Sequence, residues 1–219
     1  MRRLLYLVVV LLAASCIYVR PEQMSCDETR VLQEQIGRNI PVESFRTWIS
    51  EKYQLARESV TAEAFEYGGA HYYVSWQKGR IAYTAWLSAT SIEEVSIDGE
   101  FASLDRIMAC LGKPAQYRAS YTDDIPGTHL NLNLFFSDQG AFAYGYEFYR
   151  SRPKLPPSIN GDFPIASIMF MKPRSTEEIV FRIFGGGNRS GAADIHEQVL
   201  KEVKPWPEKW TDIVVTVPR

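Results

Sequence analysis

Residues 129–149, HLNLNLFFSDQGAFAYGYEFY, decide the fold of this chain. From His129 to Phe136, apolar residues occupy every second position, which is the period of a strand with one buried face. Residues 137–140 (SDQG) are turn formers, and an alternating pattern resumes at Ala141. The segment therefore predicts two antiparallel strands joined by a tight turn. The residues predicted to face the core are Leu130, Leu132, Leu134, Phe136, Phe142, Tyr144, Tyr146 and Phe148.

A helix is predicted before these strands, and a similar helix occurs earlier in the chain. The later helix begins near Ser103 and ends at residues 112–114 (GKP), because Gly adopts the left-handed cap and Pro cannot continue a helix. The earlier helix begins near Ser44 and runs to about Tyr53. Each helix is followed, after nearly the same number of residues, by a Gly and an aromatic strand.

This repeated order of landmarks indicates an internal duplication. The stretch GRIAYTAWL begins at Gly79 and matches GAFAYGYEF, which begins at Gly140. We interpret residues 41–89 and 101–149 as two αββ units. The interpretation makes Gly79 equivalent to Gly140 and Tyr83 equivalent to Tyr144, with both tyrosines facing the helices and with Arg80 and Ala141 facing outward.

The fold class predicted from these patterns is α+β, with an antiparallel sheet and helices on one face. The domain covers residues 41–219, and residues 150–219 form a C-terminal extension beyond the repeats. In this extension a strand is predicted near residues 165–171, a helix begins at the capping box of Ser175 and Glu178, and residues 192–203 have helical spacing.

The N-terminus carries the features of an export signal. Arg2 and Arg3 form a positive n-region, and residues 4–14 are apolar throughout. Residues 12–16, LAASC, place small side chains before a cleavage site. LAASC resembles the lipobox of bacterial lipoproteins, and this resemblance implies a lipid on Cys16.

Residues 1–19 are therefore expected to be a lipoprotein signal, with an uncleaved signal anchor as the alternative. The apolar run is shorter than the ~20 residues that usually span a bilayer, and the arginines would hold that end in the cytoplasm. A cleaved, secreted product is a third option. The first two place the domain on the extracytoplasmic side of the membrane, in the cell envelope. The polar residues 20–40 are expected to form a stalk with a short helix.

The chain contains three cysteines. If Cys16 carries a lipid, Cys26 and Cys110 remain, and an exported setting permits a disulfide between them. Because Cys26 lies in the predicted stalk and Cys110 in a predicted helix, we expect a buried free thiol at Cys110, with the disulfide as the alternative. Neither residue has the CxxC spacing of a redox or zinc site.

The composition argues for a folded protein and against a nucleic-acid partner. Of 219 residues, 46% are hydrophobic and 13% aromatic, which is enough to build a core. The net charge is −2, and Lys and Arg do not cluster. Because phosphate binding needs a clustered basic surface, we do not expect this protein to bind nucleic acid.

Signals for catalysis or metal binding are weak. The three histidines are His71, His129 and His196. None has a second His or Cys at ligand spacing, so no metal site is expected. Residues 123–124 (DD) suit a turn better than a catalytic carboxylate pair. Residues 185–187 (GGG) lack the Lys of a phosphate-binding loop. We therefore expect neither a cofactor nor an enzyme.

The sheet face turned away from the core is predicted to carry exposed aromatics among small and polar residues. The residues of this candidate binding strip are Tyr73, Trp86, Phe135 and Tyr149. Exposed aromatics on a polar face often mark a binding surface. The alternative is that residues 160–200 fold over this face and bury it.

The segment SLDRIMACLGKP, followed by strands around a DQG turn, resembles modules of the SmpA/OmlA-type outer-membrane assembly lipoproteins and the β-lactamase-inhibitor-like repeat. The resemblance covers residues 101–149 and, more loosely, 41–89, where EKY replaces the LGxP break. It implies a sheet that binds another protein. We therefore expect a non-catalytic interaction or assembly module, attached to the membrane through its N-terminus, with another envelope protein as partner. The alternative is binding of a small apolar ligand or lipid in an aromatic cleft between the repeats.

Overall fold

The structure is a computed structural model that describes residues 24–64, 72–89, 91–124, 127–151, 159–185, 192–209 and 212–216. The predicted signal with Cys16, and also His71, lie outside these residues. The described helices are α1 (Cys26–Gln33), α2 (Val42–Tyr53), α3 (Leu104–Leu111), α4 (Thr176–Val180) and α5 (Ala192–Glu202). The described strands are β1 (Thr61–Ala64), β2 (Tyr72–Lys78), β3 (Ile81–Leu87), β4 (Ile92–Ser103), β5 (Gln116–Asp124), β6 (Gly127–Phe136), β7 (Ala141–Tyr149), β8 (Pro164–Met171), β9 (Lys204–Pro205) and β10 (Val215–Thr216).

These strands form one sheet in the order β1-β2-β3-β4-β8-β7-β6-β5-β10, and β9 pairs with the end of β5. Strands β1 to β4 are a meander, and so are β5 to β8, because each strand pairs with the next one in the chain. The last strands of the two meanders, β4 and β8, pair antiparallel at the centre. Only the short β10 pairs parallel, with β5, among the described strands. The large antiparallel sheet with packed helices confirms the α+β class.

One face of the sheet, here called the helix face, packs against α1, α2 and α3. On β3 this face is formed by alternate residues from Ile81 to Leu87, all buried, as the alternation predicts. On α2, Phe45 and Ile49 lie one turn apart and are fully buried against the sheet. The other helical residues of this core are Leu32, Leu104, Ile107 and Leu111.

The opposite face, here called the second face, is covered in part by α4 and α5, so the expectation of helices on one face only is wrong. A separate apolar cluster joins these helices to the sheet. Its buried members are Phe135, Phe142, Met171, Ile179, Val180 and Val199. The physical reason is that large apolar side chains occupy both faces of the sheet near the β6–β7 turn, and both need cover.

The elements predicted in the C-terminal extension are confirmed. Strand β8 and helix α5 lie where the spacing placed them. The Ser175 hydroxyl accepts from the Glu178 backbone N–H, while the Glu178 carboxylate accepts from the Ser175 backbone N–H. This capping box begins α4 as predicted. The chain continues in a π-helical turn, Phe181–Gly185.

Residues 24–40, predicted as part of a stalk, are built into the domain instead. Met24 and Leu32 are fully buried in the core of the helix face. The Gln33 side-chain amide donates to the Gln139 carbonyl at 2.7 Å, at the β6–β7 turn. The short amphipathic helix α1 thus buries its apolar side against the sheet rather than standing free.

A disulfide joins Cys26 at the start of α1 to Cys110 near the end of α3, with an S–S distance of 2.01 Å. The expected free thiol at Cys110 is therefore wrong. The two cysteines are 84 residues apart in the sequence, and α1 packs beside α3. The bond fastens the N-terminal helix to the second half of the chain.

Helix α1 also contacts the first half of the sheet through a polar group in the core. The Tyr83 hydroxyl donates to the Glu28 carboxylate at 2.8 Å, and the Lys78 ammonium lies 3.8 Å from the same carboxylate. The Trp76 ring stacks on Tyr83 at 5.1 Å. Burial, and then the Glu28 charge, raise the pKa of the neighbouring Tyr53 well above its ordinary value.

The side chains of strand β7 lie on the faces opposite to those predicted. Ala141 and Ala143 are fully buried on the helix face, whereas Tyr144, Tyr146 and Phe148 project from the second face. Tyr144 and Ala141 are therefore not placed as the duplication hypothesis required.

The reason for this reversal is a difference in turn length. Lys78 pairs with Ile81, so residues 79–80 form the β2–β3 turn. Phe136 pairs with Ala141, so residues 137–140 form the β6–β7 turn. Residues at the same distance after Gly79 and after Gly140 therefore lie on opposite faces of the sheet, because successive side chains of a strand alternate between the faces. The proposed equivalences of Gly79 with Gly140 and of Tyr83 with Tyr144 are wrong.

Strand β4 is joined to the segment after β8 by polar contacts at Glu93. Its carboxylate accepts a hydrogen bond from the Ser91 hydroxyl and lies 3.6 Å from the Lys172 ammonium. The Ser91 hydrogen bond is the main cause of a lowered pKa of Glu93, which burial opposes and Ser88 and Lys172 support.

Candidate functional site on the second face

The structure places two residues of the predicted binding strip together and separates the other two. Tyr73 and Trp86 are directly opposed on β2 and β3, and both project, partly exposed, from the second face. Phe135 is also on this face but is fully buried in the cluster beneath α4 and α5. Tyr149 packs against the core of the helix face. The prediction of Phe135 as an exposed strip residue and of Tyr149 as a second-face residue is wrong.

Small hydroxyl-bearing side chains surround Tyr73 and Trp86. Directly opposed neighbours across β1 to β3 are Thr61, Ser75 and Thr84, and the row continues on β4 to Ser96, which is buried and donates to Asp98. The Tyr73 hydroxyl donates to the Glu63 carboxylate on the edge strand, and this hydrogen bond is the main cause of a raised pKa of Tyr73. The phenol therefore stays protonated at neutral pH. This part of the surface offers hydrogen bonds around two flat aromatic rings.

A second aromatic group, predicted from the alternation to lie in the core, is on the same face at the far end of β7. Tyr146 and Phe148 are 39% and 47% exposed. Their rings lie 5.7 and 5.2 Å from the ring of His129, and Tyr144 stacks beside Tyr146 at 5.8 Å. The signal that identifies this group is the cross-strand pairing. Phe148 is opposite His129 and Tyr146 opposite Asn131, both polar positions of β6.

The surface between the two aromatic groups crosses the central seam of β4 and β8. One row of directly opposed residues joins them, namely Ala82, Asp98, Ser167 and Tyr144. Because β4 and β8 are paired neighbours, the sheet runs from one half of the chain to the other across this seam, with a register shift between Asp98 and Ala102. The aromatic groups therefore belong to one surface of small and polar side chains.

Two ion pairs fix the helices that border this surface. The Arg182 guanidinium donates through Nε to Glu94 at 2.8 Å, and the Glu94 side chain is only 7% exposed. The Arg118 guanidinium donates through Nε to Glu202 at 2.6 Å, tying the end of α5 to β5. A buried carboxylate that loses its cation is costly, so both contacts oppose lifting of the helices.

The remaining candidates for chemistry occupy separate positions. His196 on α5 packs edge-on against Phe181 at 5.5 Å, and His129 belongs to the aromatic group on β6 and β7. Asp123 accepts a hydrogen bond from the Thr128 hydroxyl at 2.8 Å, and these two residues are paired at the end of β5 and β6, so residues 123–124 end a strand instead of forming the predicted turn. Within the described ranges, no three His, Cys, Asp or Glu side chains are grouped to hold a metal ion.

None of the helices in the described part of the chain is both long and apolar enough to cross a bilayer. No protein family, no curated protein and no solved structure matches this chain.

Proposed function

We propose that this protein is an envelope-anchored, non-catalytic interaction module that binds another envelope protein through the second face of its sheet. The observation that carries the proposal is the pair of aromatic groups, around Trp86 and around Tyr146, among small and polar side chains on the part of the second face outside the cluster beneath α4 and α5. Aromatic residues supply large contact areas at low entropic cost, and they are enriched where proteins bind each other.

The strand order supports a duplicated origin of this surface. Each half of the sheet is a helix followed by a four-stranded meander, and the halves meet through their last strands. If the paired positions Lys78–Ile81 and Phe136–Ala141 are matched, Trp86 becomes equivalent to Tyr146. The two aromatic groups would then occupy equivalent positions in the two halves of the sheet, at opposite ends of the second face.

A face-specific crosslinking experiment tests the interaction. A photoreactive amino acid is placed at Trp86, at Tyr146 or at the control position Tyr72, in the full-length protein in its native membrane. Tyr72 is 38% exposed, close to the exposure of Tyr146, but pairs with Leu87 on the helix face. We expect the two second-face positions to capture the same protein and Tyr72 to capture none. Equal capture from Tyr72, or no common product from Trp86 and Tyr146, would contradict the proposal.

The anchor is proposed to be a lipid on Cys16, which the LAASC sequence favours. Cys16→Ser should abolish metabolic labelling with a radioactive fatty acid and leave a longer, unprocessed chain. Cys26→Ser serves as the control because it removes a cysteine without affecting this site. Normal labelling of Cys16→Ser, or an intact N-terminus in the wild type, would leave the uncleaved signal anchor as the anchor.

A further inference from the structure

A polar cleft lies on the second face beside the aromatic group of Tyr146, where helix α5 passes over strand β5. Its floor is the second face of β5, with Arg118, Ser120 and Thr122 at alternate positions. Gln198 and Glu202 on α5 form one wall, and Thr216 on β10 forms the other. The volume is about 340 Å³. Since one water takes up about 30 Å³, the cleft is much larger than a single water needs.

Ser120 is the central residue of the floor and is only 3% exposed. Its hydroxyl makes no hydrogen bond to any of the residues that the structure describes. Buried hydroxyls in folded proteins are nearly always bonded, since leaving one without a partner costs free energy. A ligand that bonds this hydroxyl would remove the cost. The position of Ser120 in the floor of an accessible cleft makes such a contact possible.

A chain of hydrogen bonds directs a second hydroxyl toward the cleft. The Tyr144 hydroxyl donates to the Asn131 side-chain carbonyl at 2.7 Å, and the Asn131 amide donates to the Thr122 hydroxyl oxygen at 2.9 Å. The Thr122 oxygen is thereby used as an acceptor, so its own proton remains available to a ligand. The Arg118 guanidinium donates to Glu202 through Nε, and the guanidinium of this lining residue has further N–H donors.

The charges of the cleft indicate which class of ligand it takes. Arg118 is neutralised by Glu202 at 2.6 Å, and both side chains line the cleft. An anion would meet the Glu202 carboxylate and a cation whose charge is already used. A cation would lie beside the Arg118 guanidinium. A neutral molecule that both donates and accepts hydrogen bonds fits the hydroxyls, the Gln198 amide and the guanidinium together.

We propose that this cleft binds a small, neutral, hydroxyl-rich molecule of about the size of one sugar ring. Its volume is at the low end of the range of ligand pockets, which favours a small ligand. The floor holds the ligand through Ser120 and Thr122, and α5 closes over it through Gln198. This inference does not depend on the interaction surface proposed above.

The test is a titration of the full-length, ¹⁵N-labelled protein in a detergent without a sugar headgroup. Glucose and inositol are the neutral probes, and acetate and inorganic phosphate are the charged ones. We expect both neutral probes to produce saturable shifts of the Ser120, Thr122 and Gln198 amide signals. Ser120→Ala should weaken binding about fivefold, the loss of one hydrogen bond. Ser120→Val, which adds methyl groups to the floor, should abolish it.

Ser96→Ala is the matched control, because Ser96 is an equally buried strand serine on β4, outside the cleft. It should bind both neutral probes like the wild type. Thermal unfolding verifies that the Ser120 variants remain folded, and Gln198→Ala, on an exposed helix position, provides a second route to weakened binding. No saturable shifts at tens of millimolar probe, unchanged affinity in Ser120→Val, or tighter binding of acetate or phosphate would each overturn the proposal.

Discussion

Replacing Cys26 and Cys110 by serine removes the covalent link between α1 and α3 without changing side-chain size greatly. The cysteines are 84 residues apart, so the bond closes a long loop in the unfolded chain. The loop-entropy relation gives ~4.5 kcal/mol of stabilisation for a loop of this length, and native disulfides commonly contribute about 2–5 kcal/mol. The loss would be a large part of the 5–15 kcal/mol that is typical of folded proteins.

Urea unfolding followed by tryptophan fluorescence measures this loss. The chain has five tryptophans, and Trp76 lies in the core beside Tyr83. With a urea dependence of about 3 kcal/mol per molar, the midpoint of the double variant should fall by roughly 1.5 M. The single variants Cys26→Ser and Cys110→Ser should fall equally, because either substitution breaks the same bond.

Reduction provides the control for this prediction. Dithiothreitol should lower the wild-type midpoint to that of the double variant and should leave the double variant unchanged. The reasoning would be refuted by a double variant as stable as the wild type. It would also be refuted by a double variant that still responds to dithiothreitol.

Three further predictions concern the faces of the sheet and its polar contacts. Ala141→Glu should lower the free energy of unfolding by about 3 kcal/mol or more, because it buries an unpaired charge, whereas Phe148→Glu should change it by less than about 0.5 kcal/mol. Urea titrations that rank the two variants the other way would contradict the faces assigned to the β7 side chains. Tyr83→Phe should lower the free energy of unfolding by about 1.5 kcal/mol, because it removes a hydrogen bond to the Glu28 carboxylate. A double-mutant cycle with Glu28→Gln should show that the two changes are coupled rather than additive. The lowered pKa of Glu93 means that its contribution to stability is present above its ordinary pKa of 4.5 and is lost as the pH falls below that value through the folded-state pKa. Glu93→Gln should therefore make the free energy of unfolding depend less on pH in this range, and an unchanged dependence would show that the contacts of Glu93 do not stabilise the fold.

The sequence was sufficient to predict strand β6 and insufficient for the faces of β7. In β6, Leu at alternate positions identifies the side chains that belong to the core of the helix face. In β7 the aromatic residues alternate with Ala and Gly, and the larger apolar side chains were expected to face the core. The structure does the opposite, because the small residues let neighbouring chain segments approach closely. A Cβ at Gly145 would lie 2.2 Å from the Pro164 carbonyl oxygen. Side-chain size is therefore a poor guide to burial where neighbouring chain segments approach this closely.

The candidate site was only half predictable for a related reason. Tyr73 and Trp86 follow from alternation within one hairpin, which is a local property. The burial of Phe135 depends on α4 and α5, and the disulfide depends on the docking of α1 beside α3. Both are contacts between distant parts of the chain, for which a single sequence has no periodic signal. The helical spacing of Val31, Leu32 and Ile36 predicted the short helix α1, but the polar residues around it gave no sign that it would pack against the sheet.

The pairing of β4 with β8 at the centre of the sheet has a consequence for the order in which the protein is made. The chain is synthesised from its N-terminus, so β1 to β4 can assemble as soon as Ser103 has been added. Strand β8, the partner of β4, is complete only when residues 164–171 have been added. During this interval β4, one of the longest strands, has a free edge of unpaired backbone groups. Such edges recruit other strands, and pairings between distant segments form slowly. Nascent chains should therefore be most prone to misassembly while the second meander is being synthesised, and a factor that shields a strand edge would act on β4 until β8 displaces it.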